Sequence, residues 1–487
     1  MGHRVNRGLN QPRVAASTPG SLRCGFPNQK GIMPDKITEP ISNAAEFDAF
    51  LSAHPDIAIV DAVFVDLSGT FRGKRLPIKE ARSLFTSGLQ MPEDIFMLDA
   101  RGEMTDPLGR GFGDGDPDGT AYPIPGTLVT NGASPHKRAQ VLMTLNGPEG
   151  EPSDVEPRNV LALAAEQFAA TGLNPVVAFE LEFFLTDPQR TSAGAPQPPI
   201  CPTTGVREKA ISVYGIYDLD RYETFLNAVA DECVRQKVPA TTAVAEYAPG
   251  QFEINLNHVG DPMLAADHAA LLRPLIKHVA REQKMEATFM AKPYAGMAGS
   301  GMHVHVSLMK GGVNVFAGNP GISPTLRHAI GGLAASMHEA MAFFAPNANA
   351  YRRFTPNLFV PVNRRWGINN RSTGLRVPAG SDEATRIEHR VSGADANPYL
   401  VLAAILTGMK HGIDSQIDPG PPHEGNASDF ADPTVPFELL RALDELQNGR
   451  ILRAALGGYV DIYAEAKRTE YARFVSVIPA HEHDWYL

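Results

Sequence analysis

Cysteine is scarce: three in 487 residues, Cys24, Cys201 and Cys233, without the spacing of a metal site. This excludes a disulfide framework and fits a reducing, cytoplasmic setting. Long apolar runs are missing too. None approaches the roughly 18 residues of a membrane helix, so no membrane partner is expected. There is no long basic run. Lys plus Arg number 44 against 54 Asp plus Glu, a net charge of −10, so nucleic acid is not an expected partner either. Internal repeats and low-complexity blocks are also absent. What remains is an ordinary globular composition, 43% hydrophobic and 20% charged, in a chain too long for one simple core. Two domains are expected.

Residues 1–34 carry four arginines (Arg4, Arg7, Arg13, Arg23), no acid and no periodicity. Lacking an apolar segment they are no secretory signal and read as a disordered tail, with Met33 as an alternative start. Residues 35–138 read as a small α+β domain. It has helical spacing at 44–54, strand patterns at 57–66, 73–77 and 128–130, and a loop rich in Gly, Asp and Pro at 111–126. The joint is placed at 134–136. Residues 139–487 form the larger domain, opened by a helix at Pro157. A Pro/Gly-rich excursion spans 186–213, and helices are expected at 220–236, 262–283, 324–344, 397–412, 436–446 and 458–470. Short strands between them predict an α+β domain with a mostly antiparallel sheet.

Those strands hold the polar oddities. In the apolar run at 176–185, Glu180 and Glu182 stand two apart and so share a face. Like charges in a core strand are costly without a compensating partner, and a hard divalent cation is the natural one. An edge strand with one wet face is the alternative. Three more segments repeat the pattern. Glu246 and Glu253 flank a Pro-Gly turn, His303 and His305 share a face, and so do Arg386, Glu388 and Arg390. Glu180, Glu182, Glu246, Glu253, His303 and Glu388 are thus six candidate ligands. Carboxylates with one imidazole suit Mg²⁺ or Mn²⁺ better than zinc. Sites with open positions for phosphate oxygens suit phosphoryl transfer.

Arginines supply the other half. Arg371 and Arg376 lie in a segment poor in solvating charge, and Arg353, Arg386 and Arg390 join them. Arginine grips carboxylate and phosphate bidentately. Arg352, Arg364 and Arg365 read as surface charges. The glycine-rich turn at 295–301 lets backbone approach a ligand closely.

Together these stretches resemble the glutamine synthetase family, and within it the branch that joins glutamate to amines such as putrescine. The matching motifs are Phe-Glu-Leu-Glu-Phe-Phe at 179–184, Ala-Pro-Gly-Gln-Phe-Glu-Ile at 248–254, and Ala-Thr-Phe-Met-Ala-Lys-Pro at 287–293. Gly-Ser-Gly-Met-His-Val-His follows at 299–305, then Asn-Arg-Ser at 370–372, Arg-Ile-Glu-His-Arg at 386–390 and Asn-Pro-Tyr-Leu at 397–400. The likeness runs in order from about residue 57 to the end. It implies a small N-terminal β-grasp domain and a large catalytic domain. It also implies a homo-oligomer of two stacked hexameric rings, a dodecamer, with active sites between neighbours. ATP would phosphorylate the side-chain carboxylate of glutamate, and an amine would displace the phosphate. By the motifs, Glu182, Glu246 and Glu253 would hold one metal ion, and Glu180, His303 and Glu388 another. Arg390 would grip the α-carboxylate of glutamate, with Gly299 lining that pocket. Arg353, Arg371 and Arg376 would face the phosphates, and His305, Ser307 and Arg386 the nucleotide. Asp66 would be a loop acid near the amine.

Three departures bear on the substrate. Phe359 stands where ammonia-using members carry a flap glutamate, and it can pack on an alkyl chain but accept no proton. Ala298 replaces the family's Asn before Gly-Ser-Gly-Met-His, and no adenylylated tyrosine is evident near 425–435. All three point to a ligase for an alkylamine or polyamine. A glutamine synthetase using ammonia and a catalytically silent ring-forming relative are the alternatives. The full set of ligands and arginines speaks against the last.

Overall fold

The computed structural model of the protein describes residues 41–132, 137–318, 321–356, 358, 360–429 and 431–487. The expected tail at 1–34, the joint at 134–136 and Phe359 lie outside these residues.

The chain first forms a helix, Ala44–Ala53, capped by the Asn43 side chain. Six strands follow: β1 (Ile59–Val65), β2 (Phe71–Pro77), β3 (Leu89–Pro92), β4 (Asp118–Pro123), β5 (Val129–Asn131) and β6 (Arg138–Asn146). They make one sheet in the order β2-β1-β6-β4-β3, with β5 on β6 and the β1–β6 pair parallel. Two expectations need correction. The segment 111–126 is not all loop, because β4 lies inside it. Its Gly119 was read as a loop signal but serves close approach, since a Cβ there would stand 2.2 Å from the Asn146 carbonyl oxygen on β6. The N-terminal sheet also runs past the expected boundary at residue 138, because β6 completes it.

The second sheet comprises β7 (Asn174–Thr186), β8 (Ala240–Ala245), β9 (Gln251–Leu256), β10 (Glu286–Thr288), β11 (Met302–Lys310), β12 (Val313–Asn314), β13 (Trp366–Ile368), β14 (Leu375–Val377) and β15 (Ile387–His389). Its order is β13-β14-β15-β11-β7-β9-β8, with only the β13–β14 pair parallel. Strand β7 is therefore interior, between β11 and β9, which rules out the edge-strand reading of Glu180 and Glu182. Its alternation decides which face is core. Phe179, Leu181 and Phe183 are fully buried, and Phe183 packs against the rings of Phe225, Phe252 and Phe289. Each such side chain contributes about 1.5–3 kcal/mol. The helix Pro262–Glu282 packs on β7, and the helices Pro324–Phe344 and Pro398–Asp414 pack on each other behind it. The expected helix at 220–236 is broken at Tyr222 into Ile216–Arg221 and Glu223–Arg235. Helices Ile451–Leu456 and Ala480–Tyr486 were not anticipated.

Candidate active site

Residues paired across an antiparallel ladder point to the same face. The register pairs His303 with Glu180, Glu182 with Glu253, His305 with Glu388, and Arg376 with Glu388. The face of the sheet opposite the buried Phe179, Leu181 and Phe183 therefore collects the polar residues of β7, β9, β11, β14 and β15. Glu246 joins from just beyond β8, its amide bonded to the Gln251 carbonyl across the Pro-Gly turn. The six expected ligand residues thus form one constellation. Three overlapping trios bring oxygen or nitrogen atoms within 4.8 Å of one another: Glu182–Glu246–Glu253, Glu180–Glu253–His303 and Glu180–His305–Glu388.

The two ends of the constellation differ electrically. At one end, burial and the neighbouring carboxylates push protons on. Glu182 rises to about 7, first through burial and then through the charge of Glu246. Burial, then the charges of Glu180, Glu182 and Glu246, hold Glu253 well above the ordinary carboxylate range. Burial raises Glu246 as well. A set of oxygen donors that repel one another is what a hard divalent cation fits. At the other end, burial also pushes upward but is outweighed. Glu388 falls to about 2 under the charges of Arg390, His303, His305 and Arg376. Glu180 is drawn below the ordinary range by His303 and His305. Arg376 donates to Glu388 at 2.7 Å, and Arg390 donates to its other oxygen. His303 Nδ1 stands 3.2 Å from Glu180, and His305 Nε2 stands 2.9 Å from it.

The arginines lie where an anion would meet them. Arg353, 2% exposed, donates to the Val391 carbonyl, but its Nε has no partner. The Nε atoms of Arg376 and Arg390 are likewise buried without partners. A buried guanidinium N–H without a partner is uncommon. Arg376 and Arg390 stand beside Glu388, and a Cβ at Gly301 would lie 3.4 Å from Arg353 Nη2 and 3.6 Å from Glu182 Oε2. Gly299 is needed beside them, since a Cβ there would come 2.3 Å from Arg353 Cγ. The Gly301 amide donates to Glu182 at 2.7 Å, so the glycine-rich turn orients a carboxylate. Arg386 Nε donates to His305 Nδ1 at 3.0 Å, which fixes that ring, and Ser307 follows on the same face of β11. Arg371 is exposed, and its charge reaches Glu246.

Asp66, the expected loop acid, follows directly on β1. It is wholly buried in the turn between β1 and β2. Its Oδ1 accepts from the amides of Ser68 and Thr70 at 2.9 and 2.8 Å, and its Oδ2 accepts from Arg72 Nε at 2.8 Å. Burial raises it to about 6, with Thr70 and Arg72 opposing. Both oxygens are already engaged within the turn.

Sequence reasoning missed three residues. Gln251, 2% exposed, donates to the Gly299 carbonyl at 3.1 Å and so ties the glycine-rich turn to β9. Asn255 pairs with Glu180 in register and has an unpartnered buried Oδ1. His258 sets its ring 6.1 Å from that of His305. Asn255 carried a signal, standing two residues beyond Glu253 on the same strand face. Gln251 carried the same signal, standing two residues before Glu253, whereas His258, beyond the end of β9, carried none.

No helix among the described residues is long and apolar enough to cross a membrane. The model of the glutamine synthetase catalytic domain matches residues 154–486. The chain is 41% identical to γ-glutamylputrescine synthetase of Escherichia coli over 445 residues, 91% of this chain and 94% of that one. It is 32% identical to glutamate–isopropylamine ligase of a Pseudomonas species over 387 residues, 78% and 83% of the two chains. A solved structure of GmaS in complex with ADP superimposes with a TM-score of 0.77 at 27% identity, over 90% of this chain and 98% of that one. With two thirds of its length matched by that domain and the acidic and imidazole groups gathered on one sheet face, the chain belongs to the glutamine synthetase family.

Proposed function

We propose that the chain is an ATP-dependent ligase that joins the γ-carboxylate of glutamate to an amine, putrescine or a related alkylamine, through γ-glutamyl phosphate. The observation that carries this reading is the carboxylate and imidazole constellation on one sheet face with the guanidinium groups of Arg353, Arg376 and Arg390 beside it. Relatives that ligate glutamate to amines support it. Glu182, Glu246 and Glu253 would hold one Mg²⁺ or Mn²⁺ ion, and Glu180, His303 and Glu388 another, ions that neutralise phosphate oxygens when bound. A carboxylate does not condense with an amine in neutral water, so its oxygen first takes the γ-phosphoryl group of ATP as the bond to the β-phosphate oxygen breaks and ADP leaves. The amine nitrogen then bonds to the acyl carbon, the carbon–oxygen bond to phosphate breaks, and the nitrogen gives up a proton. Arg390 grips the α-carboxylate beside Gly299, while Arg353, Arg371 and Arg376 hold the phosphoryl oxygens through both steps. His305, Ser307 and Arg386 line the nucleotide side. The N-terminal sheet is read as a β-grasp domain of a dodecamer with sites shared between subunits.

Phosphate release from ATP, Mg²⁺ and glutamate against a panel of amines tests this. A kcat/KM for putrescine or another alkylamine far above that for ammonium is expected. Preference for ammonium would make the protein a glutamine synthetase.

A further inference from the structure

We propose that Gln251 is a positioning residue for the carboxylate trio, joining the turn beside Glu246 to the turn that orients Glu182 and so setting the affinity for a divalent ion there; this rests on the ion assignment above. The trio is drawn from three segments. Glu182 lies in β7 and Glu253 in β9, and the register sets them against each other. Glu246 stands outside the strands, between β8 and the Pro-Gly turn. The oxygens of the three lie within 4.8 Å of one another. Like charges at that range repel, so the segments that carry them need a restraint.

Gln251 supplies one with the two ends of a single buried amide. Its Oε1 accepts from the Ala248 amide at 3.2 Å, in the turn that follows Glu246. Its Nε2 donates to the Gly299 carbonyl at 3.1 Å, in the glycine-rich turn. The Gln251 backbone closes the first turn as well. Its amide donates to the Ala248 carbonyl and its carbonyl accepts from the Glu246 amide, both at 2.9 Å. In the second turn Gly301 holds Glu182 twice. The Gly301 amide donates to the Glu182 carboxylate at 2.7 Å, and the Gly301 carbonyl accepts from the Glu182 amide at 3.0 Å. Glu246, Gln251, Gly299, Gly301 and Glu182 thus form one chain of short connections. The partners also account for the residue type. One end of the side chain meets a donor and the other an acceptor, which a primary amide satisfies at once. An ionised carboxylate or an apolar side chain of that length leaves a buried backbone group unmet. Groups that hold metal ligands from behind set affinity through the ligands' orientation, by about 10- to 100-fold.

The test is Mn²⁺ binding by calorimetry to full-length protein freed of divalent ions, with melting curves alongside. Gln251→Met keeps the length of the side chain and removes both bonds. It should weaken one Mn²⁺ binding step by about tenfold or more and the other by a smaller factor, because the amide bonds none of Glu180, His303 and Glu388. Gln251→Asn, a shorter amide, should weaken the same step, and it decides the matter if Gln251→Met fails to fold. An unchanged Mn²⁺ isotherm with a lowered Tm would make Gln251 a structural residue only and overturn the proposal, as would equal weakening of both steps. A wild-type protein that binds Mn²⁺ but ligates no amine overturns the ligase reading alone.

Discussion

Glu182, Glu246 and Glu253 share a sheet face with Glu180 and Glu388, yet the two groups sit on opposite sides of their ordinary titration range. Burial acts upward on all five. The difference lies in which neighbours the strands deliver. Strands β11, β14 and β15 bring His303, His305, Arg376 and Arg390 beside the second group, while β7 and β9 set the carboxylates of the first against one another. At one end the neighbouring positive groups outweigh burial; at the other burial and mutual repulsion outweigh Arg353, Arg371 and Arg390, a balance that suits a hard divalent cation. An active site that brings together anionic glutamate and anionic ATP needs both kinds of compensation.

Removing charge at each end should break the symmetry of effect. Glu253→Gln and Glu388→Gln are both expected to lower kcat/KM by about 10³-fold, the several kcal/mol a divalent ion supplies. Their stabilities should diverge in protein stripped of divalent ions. Glu253→Gln relieves repulsion among buried carboxylates and should raise Tm. Glu388→Gln leaves Arg376 and Arg390 without their counter-charge and should cost about 3–5 kcal/mol. Melting curves in chelator check this, and shifts of the same sign would undo the comparison.

The pH dependence of the ion-free protein sharpens it. Glu182 has a folded value of about 7 against an ordinary 4.5, so between those values the folded state binds more protons than the unfolded. Its contribution to stability is therefore lost as pH rises from about 4.5 to 7. Glu388, at about 2, works the other way, and its contribution is lost as pH falls from about 4.5 toward 2. Glu182→Gln should flatten the first slope and spare the second. Added Mg²⁺ should stabilise most at pH 7 and above, where the trio has lost its protons.

Much of this comparison was legible in the sequence. Period-two spacing places Glu180 with Glu182 and His303 with His305 on strand faces whatever the tertiary fold. Spacing along one strand says nothing of its neighbours, so the pairing of Glu182 with Glu253, and hence the electrical divide, needed the register. Helices with strong apolar patterns, such as Pro262–Glu282 and Pro324–Phe344, fell where the sequence placed them. Strand β4 did not, because Gly119 looks the same in a loop as in a strand that must pass close to its neighbour. Asp66 shows the same limit. An acid between a strand and a Ser-Gly turn reads equally as a reactive group and as the residue that closes the turn.

That ambiguity gives the smallest effect and a clear separation. If Asp66 anchors the turn, Asp66→Asn keeps one acceptor for Ser68 and Thr70 but can set an amide against Arg72. The loss should be about 1–3 kcal/mol of stability, with kcat close to wild type well below the melting temperature. If Asp66 takes a proton from the amine, the same change should leave Tm in place and lower kcat by 10²-fold or more, roughly the share of general-base catalysis. The turn lies far in sequence from the charged face, but Asn397 Nδ2 donates to the Asp66 carbonyl at 2.7 Å. Asn397 also caps the helix Pro398–Asp414 that backs the sheet. A stability loss in Asp66→Asn therefore reports on the seam between the N-terminal turn and the catalytic layers, and a kcat loss at full stability reports on the reaction.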